Sequence, residues 1–206
     1  SIGIAIAPQD GASVETLLNS ADLGLYRAKE EGKGTFRFFE TKMDDIVRDR
    51  RILEQELRGA LAANQFELHF QPLVSALDDT TSGFEALIRW NHPTRGQVPP
   101  SDFIPLAEKT GLICEIGDWV LMEACRTATT WPDHMTISVN LSPQQFHGRR
   151  IVNSAKHALN VTGLKPSRLE LEITEGLFVD NTEEALTALN DLKALGVMTS
   201  LDDFGT

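Results

Sequence analysis

The sequence predicts an α/β protein: a TIM-like (β/α) barrel, incomplete in this chain, that follows a small α/β remnant and a linker helix. From residue 65 onward, short apolar runs typical of strands alternate with longer runs of helical periodicity. Such alternation builds parallel sheets, either open or closed into a barrel. Only five strands are predicted in this region, whereas a complete eight-stranded barrel takes about 250 residues. We therefore expect roughly the last third of a barrel to be missing.

Residues 1–40 predict two strands and one helix. The first strand is indicated by a short apolar alternation that stops at Pro8. The helix is indicated by apolar residues that recur every three or four positions until Gly32 ends it. The predicted strands are 1–7 and 35–39, and the predicted helix is 14–29. Because so short a unit buries too little surface to fold alone, we expect the end of a domain whose front is absent.

Residues 41–63 predict an amphipathic helix that links the remnant to the barrel. An apolar stripe runs through this highly charged stretch, formed by Met43, Ile46, Val47, Leu53, Leu57 and Leu61. Such a helix usually packs against its neighbours, and a signalling relay or dimer helix is the alternative. The predicted divisions are therefore 1–40 for the remnant, 41–63 for the linker helix and 64–206 for the barrel.

The barrel region predicts strands and helices in alternation along most of its length. Apolar runs bounded by turn residues mark the strands, and a period of three to four residues marks the helices. The predicted strands are 66–74, 83–90, 136–141, 168–173 and 197–201. The predicted helices are 101–109, 117–131, one within 150–161, and 182–195.

The composition excludes several classes of protein. The 206 residues include 30 acidic and 19 basic side chains, a net charge of −11, so no DNA or RNA polymer is expected as a partner. No apolar run reaches 18 residues, and we expect no membrane contact within this chain. Two cysteines without metal-ligand spacing suit a reducing compartment. We predict a cytoplasmic location, with any membrane tether in an N-terminal region outside this chain.

Polar residues close four of the predicted strands: Glu85, Asn140, Glu172, and the pair Asp202 and Asp203. The carboxyl ends of parallel strands meet at one face, where α/β enzymes place their active sites, so we expect these side chains to be neighbours. Crowded carboxylates repel unless a cation neutralises them, and an all-oxygen set suits Mg²⁺ or Mn²⁺. Taken singly, each residue is explained more simply as a solvated rim, turn or capping residue.

Six motifs in a fixed order carry a family resemblance. They are FQPLV from Phe70, EALIRW from Glu85, IPLAEKTG from Ile104, SVNLS from Ser138, EITE from Glu172 and DDFGT from Asp202. Through them, residues 66–206 resemble the EAL domain family, the metal-dependent phosphodiesterases of bacterial cyclic di-GMP. Residues 1–40 are similar to the end of a GGDEF (diguanylate cyclase) domain, through SIGIA, Ala21-Asp22, Leu25-Tyr26 and Ala28-Lys29, although the GGDEF signature itself is absent from this chain.

The resemblance implies a site for two divalent ions, Mg²⁺ or Mn²⁺. The implied metal ligands are Glu85, Asn140, Glu172, Asp202 and Asp203, and the implied catalytic residues are Glu85, Asp202 and Asp203. The implied substrate-binding residues are Gln71, Leu87 and Arg89. Glu175 matches a family position that anchors the loop beginning at Asp203.

The function implied by the resemblance is hydrolysis of cyclic di-GMP to the linear dinucleotide. Cyclic di-GMP is the expected partner, and a homodimer through the EAL domain or the linker helix is a further expectation. Gly176 stands where the family usually has Ser, and the family's later lysine and glutamate fall beyond Thr206, so we expect the isolated chain to be inactive. Two alternatives stay open: a receptor that binds cyclic di-GMP without cleaving it, and an unrelated Mg²⁺-dependent barrel enzyme.

Overall fold

The computed structural model describes residues 1–30, 32–75, 79–174 and 182–202 of an α/β protein. They form two compact units that divide between Glu56 and Leu57. Among these described residues, no helix is both long and apolar enough to cross a lipid bilayer.

The first unit contains a two-stranded parallel sheet packed against one helix. β1 is Ile2–Ile4, α1 is Val14–Glu30 and β2 is Phe36–Phe38; α2, Thr41–Ala60, follows them. α1 packs so closely on β1 that a Cβ on Gly3 would lie 1.9 Å from the carbonyl oxygen of Ala21. Both predicted strands and both predicted helices of this part of the chain are confirmed, with shorter strands.

The second unit is built on one sheet. Its strands are β3 (Phe66–Val74), β4 (Thr81–His92), β5 (Gly96–Val98), β6 (Thr136–Leu141), β7 (Leu169–Thr174) and β8 (Met198–Asp202). The strand order is β3-β4-β6-β7-β8, with β5 paired to β4 alone. β4, β6, β7 and β8 are parallel, as predicted. The predicted bounds of β3 and β6 are confirmed at both ends.

β3 runs antiparallel to β4, and the parallel arrangement predicted for the whole sheet is wrong at this edge. Residues 75–80 alone connect the two strands, and a parallel crossover takes a dozen or more residues, so a hairpin is the connection this length permits. The sequence did not predict β5, because three residues are too few to show a two-residue period. β5 forms a second antiparallel pair with the end of β4.

Four α-helices accompany this sheet. They are α3 (Pro100–Thr110), α4 (Ile113–Ala128), α5 (Arg150–Thr162) and α6 (Thr182–Ala194). A 3₁₀ segment, Pro143–Arg149, joins β6 to α5, and a second one, Pro166–Arg168, precedes β7. All four α-helices are confirmed, although α4 begins four residues before its predicted start.

The main core lies between the sheet and its helices. The Trp90 ring of β4 lies 5.6 Å from the Phe103 ring of α3, and Phe66 of β3 lies 6.0 Å from Trp119 of α4. Alternate residues of the central parallel strands are fully buried with them: Ile137, Val139, Leu169 and Leu171. Since successive side chains of a strand point to opposite faces, the residues between these form the other face of the sheet.

Candidate active site

One face of the sheet carries the polar residues that the sequence singled out. Strand register places Gln71 opposite Glu85, and Asn140 opposite Glu172. Paired residues share a face, and each strand returns to that face every second residue. We call this the polar face; among its register positions are Gln71, Glu85, Leu87, Arg89, Ser138, Asn140, Glu170, Glu172, Ser200 and Asp202.

Glu85 and Asn140 meet directly on this face. The Asn140 side-chain amide Nδ2 donates a hydrogen bond to Glu85 Oε1 over 2.6 Å. Glu85 lies inside β4 rather than at its end, which corrects the expectation that it closes the strand. The parallel pairing of β4 with β6 nevertheless stops one residue later, at Ala86 and Val139. Both polar side chains therefore lie at the carboxyl end of the parallel ladder, where α/β enzymes bind their ligands.

Glu172 extends the pair to a third strand. Its register partners are Asn140 on β6 and Ser200 on β8, and neighbouring strands are about 4.8 Å apart. Two residues earlier on the same two strands, the Ser138 hydroxyl donates to Glu170 Oε2 over 3.5 Å. The structure thus brings Glu85, Asn140 and Glu172 together, as the sequence predicted.

These donors suit an oxygen-preferring ion. Glu85 and Glu172 offer carboxylates, and the Asn140 amide has a carbonyl oxygen as well as the NH₂ group that donates to Glu85. In the described part of the chain, no group of three or more His, Cys, Asp or Glu side chains lies close enough to hold a metal. That statement does not include two of the predicted acidic ligands. Asp203 lies outside the described residues, and only the backbone of Asp202 is described.

The predicted substrate-binding residues continue the polar face away from Glu85. Gln71 is exposed on β3, while Leu87 and Arg89 follow Glu85 at two-residue steps along β4 and are half-buried. Arg89 Nη1 donates to the Ile88 carbonyl over 2.9 Å. Glu175, the predicted loop anchor, lies outside the described residues.

The residue paired with Arg89 on the neighbouring strand is acidic. Glu67 of β3 is the antiparallel partner of Arg89, and His69 Nε2 lies 2.9 Å from Glu67 Oε1. Hydrogen bonds from Asn91 and then from His69 hold the pKa of the Glu67 carboxyl below its ordinary value. Glu67 is therefore ionised at neutral pH and contributes negative charge to this end of the face.

A cavity of about 300 Å³ lies between the end of the β4–β6 ladder and the helices α3 and α4. It opens where β4 and β6 cease to pair, and α3 and α4 close it from the other side. Both faces of the sheet contribute to its lining, the polar face through Leu87, Arg89 and Asn140 and the core face through Ala86, Ile88 and Leu141. Glu108, Ser142 and Gln145 add polar groups. Aliphatic side chains such as Ile104, Ile116 and Val120 complete the wall. A mainly aliphatic wall with a few polar groups is the general composition of small-molecule pockets.

The family comparison matches the part of the chain that forms this site. The EAL domain model matches residues 54–206, which is more than half of the chain. The chain belongs to the EAL domain family. EAL homologues are phosphodiesterases of cyclic di-GMP, and EAL domains have a TIM-like barrel fold, which confirms the predicted fold class.

Curated relatives match this EAL protein along the whole chain. A signalling protein of Caulobacter vibrioides, itself uncharacterised, is 51% identical over 206 residues. The bifunctional diguanylate cyclase/cyclic di-GMP phosphodiesterase MucR of Pseudomonas aeruginosa is 44% identical over 210 residues. The chain covers 26% of the first relative and 31% of the second, so it spans about a quarter to a third of their length.

A solved structure shares both the fold and much of the sequence. The MucR phosphodiesterase, solved as a complex with cyclic di-GMP, superposes with a TM-score of 0.71 at 46% identity. The match covers 75% of this chain and 64% of that one. The antiparallel first strand of the sheet and the parallel strands after it therefore belong to an EAL domain.

Sequence reasoning missed one set of polar residues at this EAL site. Glu108, Ser142 and Gln145 are joined by hydrogen bonds directly behind Asn140. A signal was present: Ser142-Pro143-Gln144-Gln145 has the S-x-x-Q spacing of a capping box, in which Ser begins a helical turn and Gln returns to its backbone. The contact of Ser142 with Glu108 spans 34 positions and leaves no such local pattern.

Proposed function

We propose that this chain is part of a cyclic di-GMP phosphodiesterase that depends on Mg²⁺ or Mn²⁺ and releases the linear dinucleotide. The observation that carries the proposal is that Gln71, Glu85, Asn140 and Glu172 lie on one face of four neighbouring strands: Gln71 pairs with Glu85, Asn140 pairs with Glu172, and the Asn140 amide donates to Glu85. The EAL homologues, which are phosphodiesterases of cyclic di-GMP, support it. The protein acts in bacterial second-messenger signalling.

Two divalent ions are held at the carboxyl end of the strands in this proposal. Glu85, Asn140, Glu172 and Asp202 would hold the first, and Asp203 would contribute to the second. When bound, such ions neutralise phosphodiester oxygens and lower the pKa of an attacking water. The proposed catalytic residues are Glu85, Asp202 and Asp203, whose carboxylates orient the reacting groups and would otherwise repel one another.

The substrate is oriented by residues further along the polar face. The Arg89 guanidinium supplies local positive charge that matches a phosphate, which a protein of net charge −11 otherwise lacks. The Gln71 amide donates to and accepts from a base edge or a sugar, and Leu87 contacts an apolar surface of the ligand. Glu175 anchors the loop that starts at Asp203.

The proposal includes a domain arrangement for a longer protein. Residues 1–40 are the end of a GGDEF domain, 41–63 are a linker helix and 64–206 are the first two-thirds of an EAL domain. The name of the MucR relative, a bifunctional cyclase and phosphodiesterase, supports such a pairing. We propose that the isolated chain is inactive, that the longer protein dimerises through the EAL domain or the linker helix, and that these domains lie in the cytoplasm.

The decisive experiment is Glu85→Ala in the full-length protein that contains this chain. Hydrolysis of cyclic di-GMP with Mg²⁺ or Mn²⁺ is expected to fall to background while circular dichroism reports a retained fold. Glu123→Ala is the matched control, since Glu123 contacts only Arg126 in the described contacts on α4, away from the polar face. Turnover of Glu85→Ala at the rate of the unaltered protein would refute the proposal. Binding without turnover in the unaltered protein would indicate a receptor instead.

A further inference from the structure

Three polar residues form a hydrogen-bonded cluster directly after β6. We propose that Glu108 of α3, with Ser142 and Gln145 of the following turn, acts as a clamp that positions Asn140 for metal and substrate binding. We call these three residues the β6 clamp. The inference rests on the proposed phosphodiesterase function, because it assigns a task to residues behind the proposed metal ligands.

The clamp holds Ser142 through its hydroxyl and through both of its backbone polar groups. The Ser142 hydroxyl donates to Glu108 Oε1 over 2.9 Å. The Ser142 N–H donates to Gln145 Oε1 over 2.9 Å, and the Gln145 N–H donates to the Ser142 carbonyl over 3.0 Å. One residue at the end of β6 is thus fixed by α3 on one side and by the 3₁₀ segment on the other.

Two of the three clamp residues are buried and Glu108 is half-buried, so the contacts among them are costly to break. Ser142 is 9% exposed and Gln145 is 3% exposed. A buried donor or acceptor that loses its partner is left without water to replace it. The clamp is also backed by α4, where a Cβ at Gly117 would lie 2.1 Å from Gln145 Nε2. Glycine at position 117 lets the Gln145 side chain lie directly against the helix backbone.

The sheet leaves the end of β6 in need of such support. On the β7 side, β6 is paired as far as Leu141. On the β4 side, its described pairing stops at Val139, one residue before Asn140. Beyond that point the bond from Asn140 to Glu85 and the β6 clamp replace the missing ladder. The backbone that carries the Asn140 amide is therefore held from one side by side chains rather than by strand pairing.

A loosened strand end would affect ligand binding more than folding. Metal ligands depend on the residues that orient them, and loss of such a residue typically weakens metal affinity or activity about 10- to 100-fold. Glu108, Ser142 and Asn140 also line the same cavity, so movement of the β6 end changes the cavity wall. The β6 clamp is positioning machinery: its residues act through Asn140, and they do not take part in the reaction.

The test compares Mn²⁺ binding by calorimetry, without substrate, in the full-length protein and its variants. Ser142→Ala and Glu108→Ala are each expected to weaken Mn²⁺ binding about 10- to 100-fold. Glu108→Gln keeps an oxygen acceptor for the Ser142 hydroxyl and is expected to bind within about threefold of the unaltered protein. The double variant should bind no worse than Ser142→Ala, because Ser142→Ala already removes the contact with Glu108. Glu123→Ala is the control.

Thermal unfolding of each variant shows whether it is folded. A loss of Mn²⁺ binding in a folded variant is then assigned to positioning of Asn140. If Glu108→Ala does not fold, Ser142→Ala decides, since it removes a single oxygen atom. Folded variants that bind Mn²⁺ as the unaltered protein does would overturn the clamp. Equal loss of Mn²⁺ binding in Glu108→Gln and Glu108→Ala would overturn it as well. Lack of cyclic di-GMP turnover in the unaltered protein would instead refute the proposed function, and the Mn²⁺ comparison would still decide on the clamp.

Discussion

Asn140 donates its side-chain amide to the Glu85 carboxylate over 2.6 Å, although 55 positions separate the two residues in the chain. The bond runs from Asn140, the first residue of β6 beyond its pairing with β4, back to Glu85, which lies inside that ladder one residue before its last pair, Ala86 and Val139. It fixes the separation of two proposed ligands before any ion is bound. A site whose ligands are held in place loses less conformational freedom when it binds.

Asn140→Asp tests this contact through stability. The change places a second carboxylate within hydrogen-bond distance of Glu85, so a favourable bond becomes a repulsion. We expect the free energy of unfolding without metal at pH 7 to fall by about 1–2 kcal/mol. The loss should shrink on acidification, because one shared proton restores a hydrogen bond. Urea denaturation measures the effect.

The matched control for that change is Asn153→Asp, an exposed position on α5. We expect its effect to stay within about 0.5 kcal/mol. Mn²⁺ should raise the melting temperature of Asn140→Asp more than that of the unaltered protein, since the ion neutralises the added charge. An Asn140→Asp variant as stable as the control at pH 7 would contradict the described contact.

The fold was predictable wherever side chains alternate over a long enough stretch. β3 and β6 follow from clear two-residue periods at 66–74 and 136–141. The antiparallel direction of β3 was missed, although a connection limited to 75–80 excludes a parallel crossover. The 3₁₀ segment Pro143–Arg149 was missed because it has no apolar period; its φ/ψ leave the helical region at His147 and Gly148.

The proposed metal ligands could be predicted from the sequence, but the contacts that hold them in place could not. Glu85, Asn140 and Glu172 were identified because each closes a predicted strand with an acidic or amide group, and the carboxyl ends of parallel strands meet at one face. That Asn140 donates to Glu85 depends on register between strands, which a single sequence does not reveal. Glu108 belongs to one of the six motifs, but its bond to Ser142 depends on how α3 packs beside β6. These two hydrogen bonds therefore depend on long-range packing, which sequence patterns do not reveal.

Arg168→Met is expected to destabilise the protein by about 2–4 kcal/mol. The buried guanidinium donates to the carbonyl oxygens of Met135, Ala128 and Trp131 at 2.8, 2.7 and 3.4 Å. Methionine fills similar space and leaves those acceptors without this donor. Arg168 directly precedes β7, at the end of the strand opposite to the proposed metal ligands, so turnover per folded molecule should be unchanged.

Lys165→Met provides the comparison for Arg168. Lys165 pairs with Asp133 over 2.6 Å, but both side chains are exposed. An exposed pair of this kind contributes little, and we expect a change of at most about 0.5–1 kcal/mol. Chemical denaturation of the two variants under one set of conditions makes the comparison. Equal destabilisation by both would show that burial of the Arg168 hydrogen bonds does not matter.

Glu184→Gln is expected to alter the acid dependence of stability. Glu184 of α6 accepts a 2.7 Å hydrogen bond from the Gly148 N–H, and His147 Nδ1 lies 3.5 Å from its other oxygen. The Gly148 bond, and then the His147 contact, lower the pKa of the Glu184 carboxyl from its ordinary 4.5. A lowered pKa stabilises the folded state above about pH 4.5, and this contribution is lost as pH falls through the folded value.

The measurement is the difference in urea midpoint between the unaltered protein and Glu184→Gln across pH. The difference should close progressively as pH falls below the ordinary pKa of 4.5. Glu183→Gln, at the exposed neighbouring position, is the control for loss of one negative charge. A difference that widens on acidification would have the wrong sign for a lowered pKa.

Side chains along β6 alternate between the core and the polar face, and this limits where residues can be inserted or deleted during evolution. Val139 enters the core and Asn140 enters the polar face because they are neighbours in one extended strand. Deleting a single residue within β6 would exchange the two roles, burying the amide and exposing the aliphatic side chain. The core and the proposed site thus depend on the same register of β6, so a single-residue insertion or deletion within β6 is expected to be far more damaging than one in a connection between strands.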